Sequence, residues 1–186
     1  RKTLREILRA IDESSRAAGQ LLDHAVVTFR SDQLQRERID LTALTRRLLT
    51  RLAPLSEMRD IALHMDDASP APVMGDAVLI ESALRNLVEN ALKYASDDTR
   101  VDVRVRIHGD WVRVEIVDEG PGLPVTDGGP LHERFVRGPN AADTVGSGLG
   151  LAIAHEVALA HGGELHLTGR SDERSGTCAA LLLPSV

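Results

Sequence analysis

The sequence predicts a two-layer α/β (α+β) sandwich: a mixed, mostly antiparallel sheet with helices on one face, preceded by a coiled-coil-like helix. Three observations predict it. Val101-Asp-Val-Arg-Val-Arg-Ile107 and Val112-Arg-Val-Glu-Ile-Val117 alternate strictly on either side of His108-Gly-Asp-Trp111, the pattern of a hairpin. Residues 41 to about 60 and 76–95 carry helical periodicity, each opening on an aspartate able to cap a helix, Asp40 and Asp76. A third apolar helix, about 147–160, leads into two further strand-like runs at 164–168 and 177–183.

At the start of the chain, Leu4, Leu8, Ile11, Ser15, Ala18, Leu22, Ala25 and Phe29 recur in steps of four and three, the seam spacing of a supercoiled helix. Ile7, Leu21 and Val26 widen the stripe towards that of a bundle. An amphipathic helix folded back on its own domain is the alternative. The polar run Ser31-Asp-Gln-Leu-Gln-Arg-Glu-Arg38 reads as a connector, which puts a domain boundary near residue 38: 1–38 on one side, 39–186 on the other. Pro54 is expected to interrupt the helix after Asp40. Ile61-Ala-Leu-His-Met65 alternates like a short strand, and 67–74, rich in Pro and Ala, reads as a loop. Residues 119 to about 146, dense in Gly, Pro, Asp and Thr, form a long loop of the functional kind.

Composition excludes several functions. The 186 residues are 42% hydrophobic, enough for one core and a small appendage. A net charge of −6 with only four aromatic residues does not suit a nucleic-acid binder, which needs a basic face and stacking platforms. No apolar run is long enough to cross a bilayer and the start lacks signal-peptide architecture, so a cytoplasmic location is expected. Cys178 is the sole cysteine, which leaves no internal disulfide and no cysteine metal cluster.

Three segments fit together as a nucleotide site. In Asn86-Leu-Val-Glu-Asn90-Ala-Leu-Lys-Tyr94, Asn86, Asn90 and Lys93 fall on one helix face. An Asn carbonyl oxygen can ligate Mg²⁺ and a nearby Lys can offset phosphate charge. Surface or capping amides are the alternative. Tyr94 could lay its ring on a purine, with core or edge packing as the other reading. Asp118, opening Asp118-Glu-Gly-Pro-Gly122, can accept from the exocyclic amine of adenine and would reject guanine by roughly 1–3 kcal/mol. In isolation that segment would read as a strand-ending turn. Gly146-Ser-Gly-Leu-Gly-Leu151 opens a helix whose free N–H groups and bare glycines suit a phosphate chain. It is neither a P-loop nor a dinucleotide fingerprint. Arg134-Phe-Val-Arg137 offers guanidinium groups to the terminal phosphate, with Phe135 as an anchor, or else a solvated pair.

In this order, and together with Glu133-Arg-Phe-Val-Arg-Gly138 and Gly176-Thr177, these segments resemble the catalytic domain of bacterial two-component sensor histidine kinases, members of the Bergerat-fold ATPases and kinases. The resemblance spans roughly residues 40 to 184. It implies ATP and Mg²⁺ as ligands, with Asn90 on the metal and Asn86 and Lys93 facing the phosphates. Tyr94 would lie on adenine and Asp118 would hold its amino group, while Gly120, Gly122, Gly146, Gly148 and Gly150 shape a lid at about 119–146. Phe135, Arg137, Ser147, Leu149, Leu151 and Thr177 complete the implied contact set, and Asn86, Lys93 and Arg137 the catalytic one. Hydrolytic relatives carry Glu at the position of Asn86. An amide cannot act as general base, which favours transfer to a protein group over transfer to water. Glu89 points off this face and has a structural role.

The family's acceptor His opens a motif like His-Glu-Leu-Arg-Thr-Pro, and none is present. His24, His132 and His155 lack its continuation, and His155 and His161 are too far apart for a helical zinc pair. His132 also stands where relatives often place an aromatic residue. The first thirty residues instead resemble the second helix of the dimerisation hairpin, with the connector completing 1–38 as a partial dimerisation domain, so the chain is expected to be a fragment without its own acceptor. The resemblance further implies a dimerisation domain carrying the acceptor His, a response regulator, a homodimeric full-length protein, and membrane attachment of that parent. An anti-sigma-type serine kinase and a nucleotide-binding regulator without transfer are the competing readings, and a hydrolytic ATPase comes last.

Overall fold

The computed structural model describes residues 34–123, 149–170, 172 and 174–186. The expected N-terminal coiled-coil helix falls outside these residues, as does most of the long loop. The described chain runs β1 (Glu37–Asp40), α1 (Leu41–Glu57), β2 (Ala62–Met65), β3 (Pro72–Gly75), α2 (Ala77–Tyr94), β4 (Arg100–His108), β5 (Trp111–Val117), α3 (Leu149–Ala160), β6 (Glu164–Gly169) and β7 (Thr177–Pro184).

Five strands form the main sheet in the order β2-β4-β5-β7-β6, with β2 parallel to β4 and every other pair antiparallel. The hairpin closes at His108↔Trp111 around Gly109, whose φ of 57° supplies the left-handed turn. Alternation then decides the faces. Val101, Val103 and Val105 on β4, Val112, Val114 and Ile116 on β5, and Leu181 and Leu183 on β7 are buried against the helices. Leu79, Ile80, Leu84, Leu87 and Leu92 of α2 and Ile153 and Val157 of α3 meet them from the other layer. Each such side chain contributes about 1.5–3 kcal/mol relative to exposure. The opposite sheet face carries ion pairs, Arg104 and Arg106 with Asp66, and Arg113 with Glu115.

Both expected caps form. Asp40 accepts from Thr42 N–H at 3.0 Å, and Asp76 accepts from Val78 and Leu79 N–H at 3.0 and 3.3 Å. Three expectations need correction. The helix runs through Pro54 to Glu57, because Pro54 lies exposed in the last turn and Met58 N–H still closes on its carbonyl. Within the expected loop, Pro72–Gly75 is a strand, and within the expected connector Glu37 and Arg38 belong to its antiparallel partner, with Ile39 opposite Val73. Pro72 is tolerated as the first residue of a strand in a two-stranded sheet. Asp40 also accepts from Ala71 N–H at 3.0 Å, so the cap of α1 ties the two short strands together.

Upstream of β1, Gln35 N–H reaches Asp76 Oδ2 at 3.4 Å and Arg36 Nη2 donates to the Ala160 carbonyl at 3.1 Å. The segment entering the sandwich therefore touches the start of α2 and the end of α3. No helix among the described residues is long and apolar enough to cross a membrane.

Candidate functional site: the α2–α3 cleft and the end of β5

α2 carries the amide pair. Asn86 is buried, its Nδ2 donating to the Ser82 carbonyl one turn back at 2.9 Å, which leaves Oδ1 directed at α3. There the backbone of Gly150 comes so close that a Cβ on it would lie 2.8 Å from that oxygen. Asn86 is thus no surface amide. Asn90, one turn further along, is half-buried, and its amide has no hydrogen-bond partner among the described residues. A half-buried amide oxygen without a protein donor suits a hard cation that also keeps phosphate and water ligands. Lys93 and Tyr94 close the helix, with Nζ 4.8 Å from the ring centroid and 3.3 Å from the phenol oxygen. Tyr94 is 40% exposed, so its ring is open to a flat ligand rather than packed in the core.

Arg59, absent from the sequence-based candidates, fixes this end of the helix. Its guanidinium donates to the carbonyls of Leu92, Lys93 (2.9 Å) and Ala95 (3.3 Å) and pairs with Asp97 at 3.1 Å. Free carbonyls and the negative end of the helix dipole are both met by one side chain. Nothing in the local sequence signals it, because the contact joins the chain after α1 to the end of α2.

Asp118 directly follows β5 and is buried. Its Oδ1 accepts from Gly120 N–H at 2.9 Å and Thr177 N–H at 3.2 Å, while its own N–H donates to the Thr177 carbonyl at 2.9 Å. Neither backbone donor uses Oδ2. Burial pushes the carboxyl above the usual aspartate range, against the pull of the Gly120 and Thr177 N–H groups, the Arg170 charge and the Thr177 hydroxyl. Gly120 is bare because a Cβ there would overlap the Tyr94 carbonyl oxygen. That close approach brings the end of α2 beside Asp118. Gly122 lies across from Gly176, where a Cβ would be 3.3 Å from the Gly176 carbonyl oxygen.

The structure therefore brings Asn86 to Gly150, Tyr94 to Gly120, and Asp118 to Gly120 and Thr177. Leu151 is half-buried against the core. Phe135, Arg137, Gly146, Ser147 and Gly148 lie outside the described residues, as do Arg134 and His132, and of Leu149 only the backbone in α3 is described. His161 has a role the sequence did not suggest. Its Nε2 accepts from Asp76 N–H at 3.0 Å and its Nδ1 lies 2.7 Å from the Val157 carbonyl, so the proton sits on Nδ1.

A family model described as "Histidine kinase-, DNA gyrase B-, and HSP90-like ATPase" matches residues 75–186, from the end of β3 to the end of the chain. The chain belongs to this family. ATP binding follows from that membership, and the relatives narrow the kind. "Signal transduction histidine-protein kinase/phosphatase MprB" of Mycolicibacterium paratuberculosis is 33% identical over 183 residues, covering 96% of this chain and 34% of the relative. "Sensor protein KdpD" of Escherichia coli is 30% identical over 183 residues, covering 96% of this chain and 20% of the relative. The chain thus spans about a third or less of the length of these relatives. Among solved structures, "Mycobacterial sensor histidine kinase MprB" superposes with a TM-score of 0.68 at 32% identity, covering 81% of this chain and 97% of that one. "Acinetobacter baumannii histidine kinase AdeS" shares the fold, with a TM-score of 0.71 at 20% identity over 97% of this chain and 83% of that one. The two-layer fold of the histidine kinase family's ATP-binding kinase domain is the fold described above.

Proposed function

We propose that this chain transfers the γ-phosphoryl group of ATP to a His on a helical dimerisation domain, from which it passes to an Asp of a response regulator. Residues 39–186 form the ATP-binding catalytic domain in this reading, and 1–38 belong to the dimerisation hairpin. The acceptor His lies outside these 186 residues, none of whose histidines has the Arg-Thr-Pro continuation. The full-length protein is a homodimer anchored at the membrane.

The observation that carries the proposal is the amide at Asn86. It stands buried between α2 and α3, with Nδ2 committed to Ser82 and Oδ1 against Gly150. An amide there cannot take a proton from water, so the position supplies no base for hydrolysis. The site instead orients a phosphoryl donor for a nucleophile brought from outside. Asn90 offers the oxygen for Mg²⁺, which when bound offsets phosphate charge. Lys93, Arg137 and the Gly146 to Gly150 backbone face the phosphates, with Ser147, Leu149 and Leu151 alongside. Tyr94 lies on adenine, Phe135 belongs to the nucleotide contact set as the anchor of its loop, and Asp118, backed by Thr177, Gly120 and Gly122, takes the 6-amino group of adenine.

The test is incubation with γ-labelled ATP and Mg²⁺, with and without an acceptor domain from a sensor kinase. Acid-labile, base-stable label on the acceptor and none on this chain supports the proposal. Acid-stable label on a serine substrate would favour the anti-sigma-type reading. ATP binding without transfer would favour a regulator, and free phosphate alone would restore the hydrolytic reading.

A further inference from the structure

Beside the Asp118 carboxylate lies a half-buried arginine that none of the roles above uses. Arg170 directly follows β6, and its side chain is 7% exposed. Nε and Nη2 donate to Asp172 Oδ1 and Oδ2 at 2.9 and 2.7 Å, and Nη1 reaches Glu119 Oε1 at 3.2 Å. A guanidinium withdrawn from water is tolerated only when paired, and here both sides of its fork are taken by carboxylates. Hydrogen bonding to Arg170 holds the Asp172 carboxyl down at about 2.

The chain positions of these contacts matter. Glu119 is the residue between Asp118 and Gly120. The stem of Arg170 crosses the backbone of Gly176, where a Cβ would overlap both Arg170 Cδ and the Asp118 carbonyl oxygen. Gly176 immediately precedes Thr177. Arg170 therefore grips the two short segments whose N–H groups, those of Gly120 and Thr177, converge on Asp118 Oδ1.

We propose that Arg170 is a positioning residue for purine recognition: its fork on Glu119 and Asp172 and its stem on Gly176 hold the Gly120 and Thr177 amides, and through them the Asp118 carboxylate, in the place where the 6-amino group of adenine is read. The inference rests on the adenine role given to Asp118 above. Arg170 acts through Asp118 and touches no nucleotide itself. A lysine would keep the charge but lose the planar fork, so it is not an equivalent replacement.

The experiment compares the binding of ATP and of purine riboside triphosphate, which lacks the 6-amino group, to the full chain by calorimetry. The unaltered chain should prefer ATP by about tenfold or more, as expected for one buried polar group left unmatched. Arg170→Met should weaken ATP and leave the analogue nearly unchanged, reducing the preference to about threefold or less. Arg170→Lys should fall between. Asp172→Asn, on the exposed side of the pair, should shift the preference in the same direction by a smaller factor, and it decides the matter if Arg170→Met does not fold. Equal weakening of both nucleotides, or of neither, would make Arg170 a structural staple and overturn the inference. An unaltered chain that binds both nucleotides alike would overturn the adenine role of Asp118 itself, before any variant is made.

Discussion

A Cβ placed on Gly150 would stand 2.8 Å from Oδ1 of Asn86 and 3.5 Å from its Cγ, so the first turn of α3 rests on an amide of α2. The amide cannot turn away freely, because Nδ2 is bonded to the Ser82 carbonyl. Gly150→Ala should therefore lower stability by about 1–3 kcal/mol, as overpacking does, although alanine is the better helix former by about 1 kcal/mol. Asn86→Ala should relieve much of that cost in the double variant. Urea unfolding of the four proteins should give a coupling energy of about 0.5–3 kcal/mol. Strictly additive effects would mean that the two helices do not meet here.

Asp118 links stability and nucleotide affinity to pH with opposite signs. Burial, the largest cause, raises its carboxyl above the ordinary aspartate value of 3.8. Its contribution to the stability of the nucleotide-free chain is therefore fully present below 3.8 and lost as pH rises through the folded value. Accepting from the adenine amine requires the ionised form, so ATP affinity should fall as pH drops through that same folded value. Asp118→Asn should leave unliganded stability at neutral pH equal or slightly higher. It should cost roughly 1–3 kcal/mol of ATP binding, because two N–H donors would then face one another. Calorimetric titrations across the acid range decide this; an Asp118→Asn chain that retains the pH slope of ATP binding would remove Asp118 as its cause.

Much of this site could be read from the sequence because its parts are local. A strict period of two places Val112 to Val117 in a strand that must end near Asp118, and Asp76 announces the helix that carries Asn86, Asn90 and Lys93. What stayed hidden depends on contacts across the chain. The β1–β3 pair has four residues on each side, with Ile39 and Val73 as its buried apolar pair, too short for a period to show. Arg59, Arg170 and His161 each work through backbone groups or carboxylates supplied by other elements. No spacing encodes such a contact; only the folded topology does. Pro54 misled because its local cost falls at the exposed last turn, where one missing N–H is cheap.

Arg59 offers a test of how far positioning extends along α2. Its donors satisfy the carbonyls of Leu92, Lys93 and Ala95, and Asp97 braces it from outside. Arg59→Met keeps most of the stem and removes those bonds, and should cost about 1–3 kcal/mol. Fraying should begin in the turn holding Lys93 and Tyr94, and ATP binding should weaken with it. Amide exchange read residue by residue should show loss of protection confined at first to residues 92–95. Uniform loss along α2 would instead mean that the guanidinium supports the whole helix and not its end.

His161 makes the junction of α2, α3 and the incoming chain sensitive to acid. Its Nε2 must be unprotonated to accept from Asp76 N–H, and its Nδ1–H is held by the Val157 carbonyl. Burial lowers its pKa below 6.5; the nearby Arg36 charge adds to this, while the Val157 carbonyl and Asp76 oppose it. A depressed folded pKa gives stability that is present above 6.5 and is lost as pH falls from there through the folded value. Below the unfolded pKa each pH unit should remove up to about 1.4 kcal/mol for this one group, until its folded form also takes the proton. His161→Gln can still accept from Asp76 N–H but cannot titrate, so its unfolding free energy should be flatter across this window than that of the unaltered chain. Parallel pH profiles for the two proteins would show that acid acts on the fold through some other group.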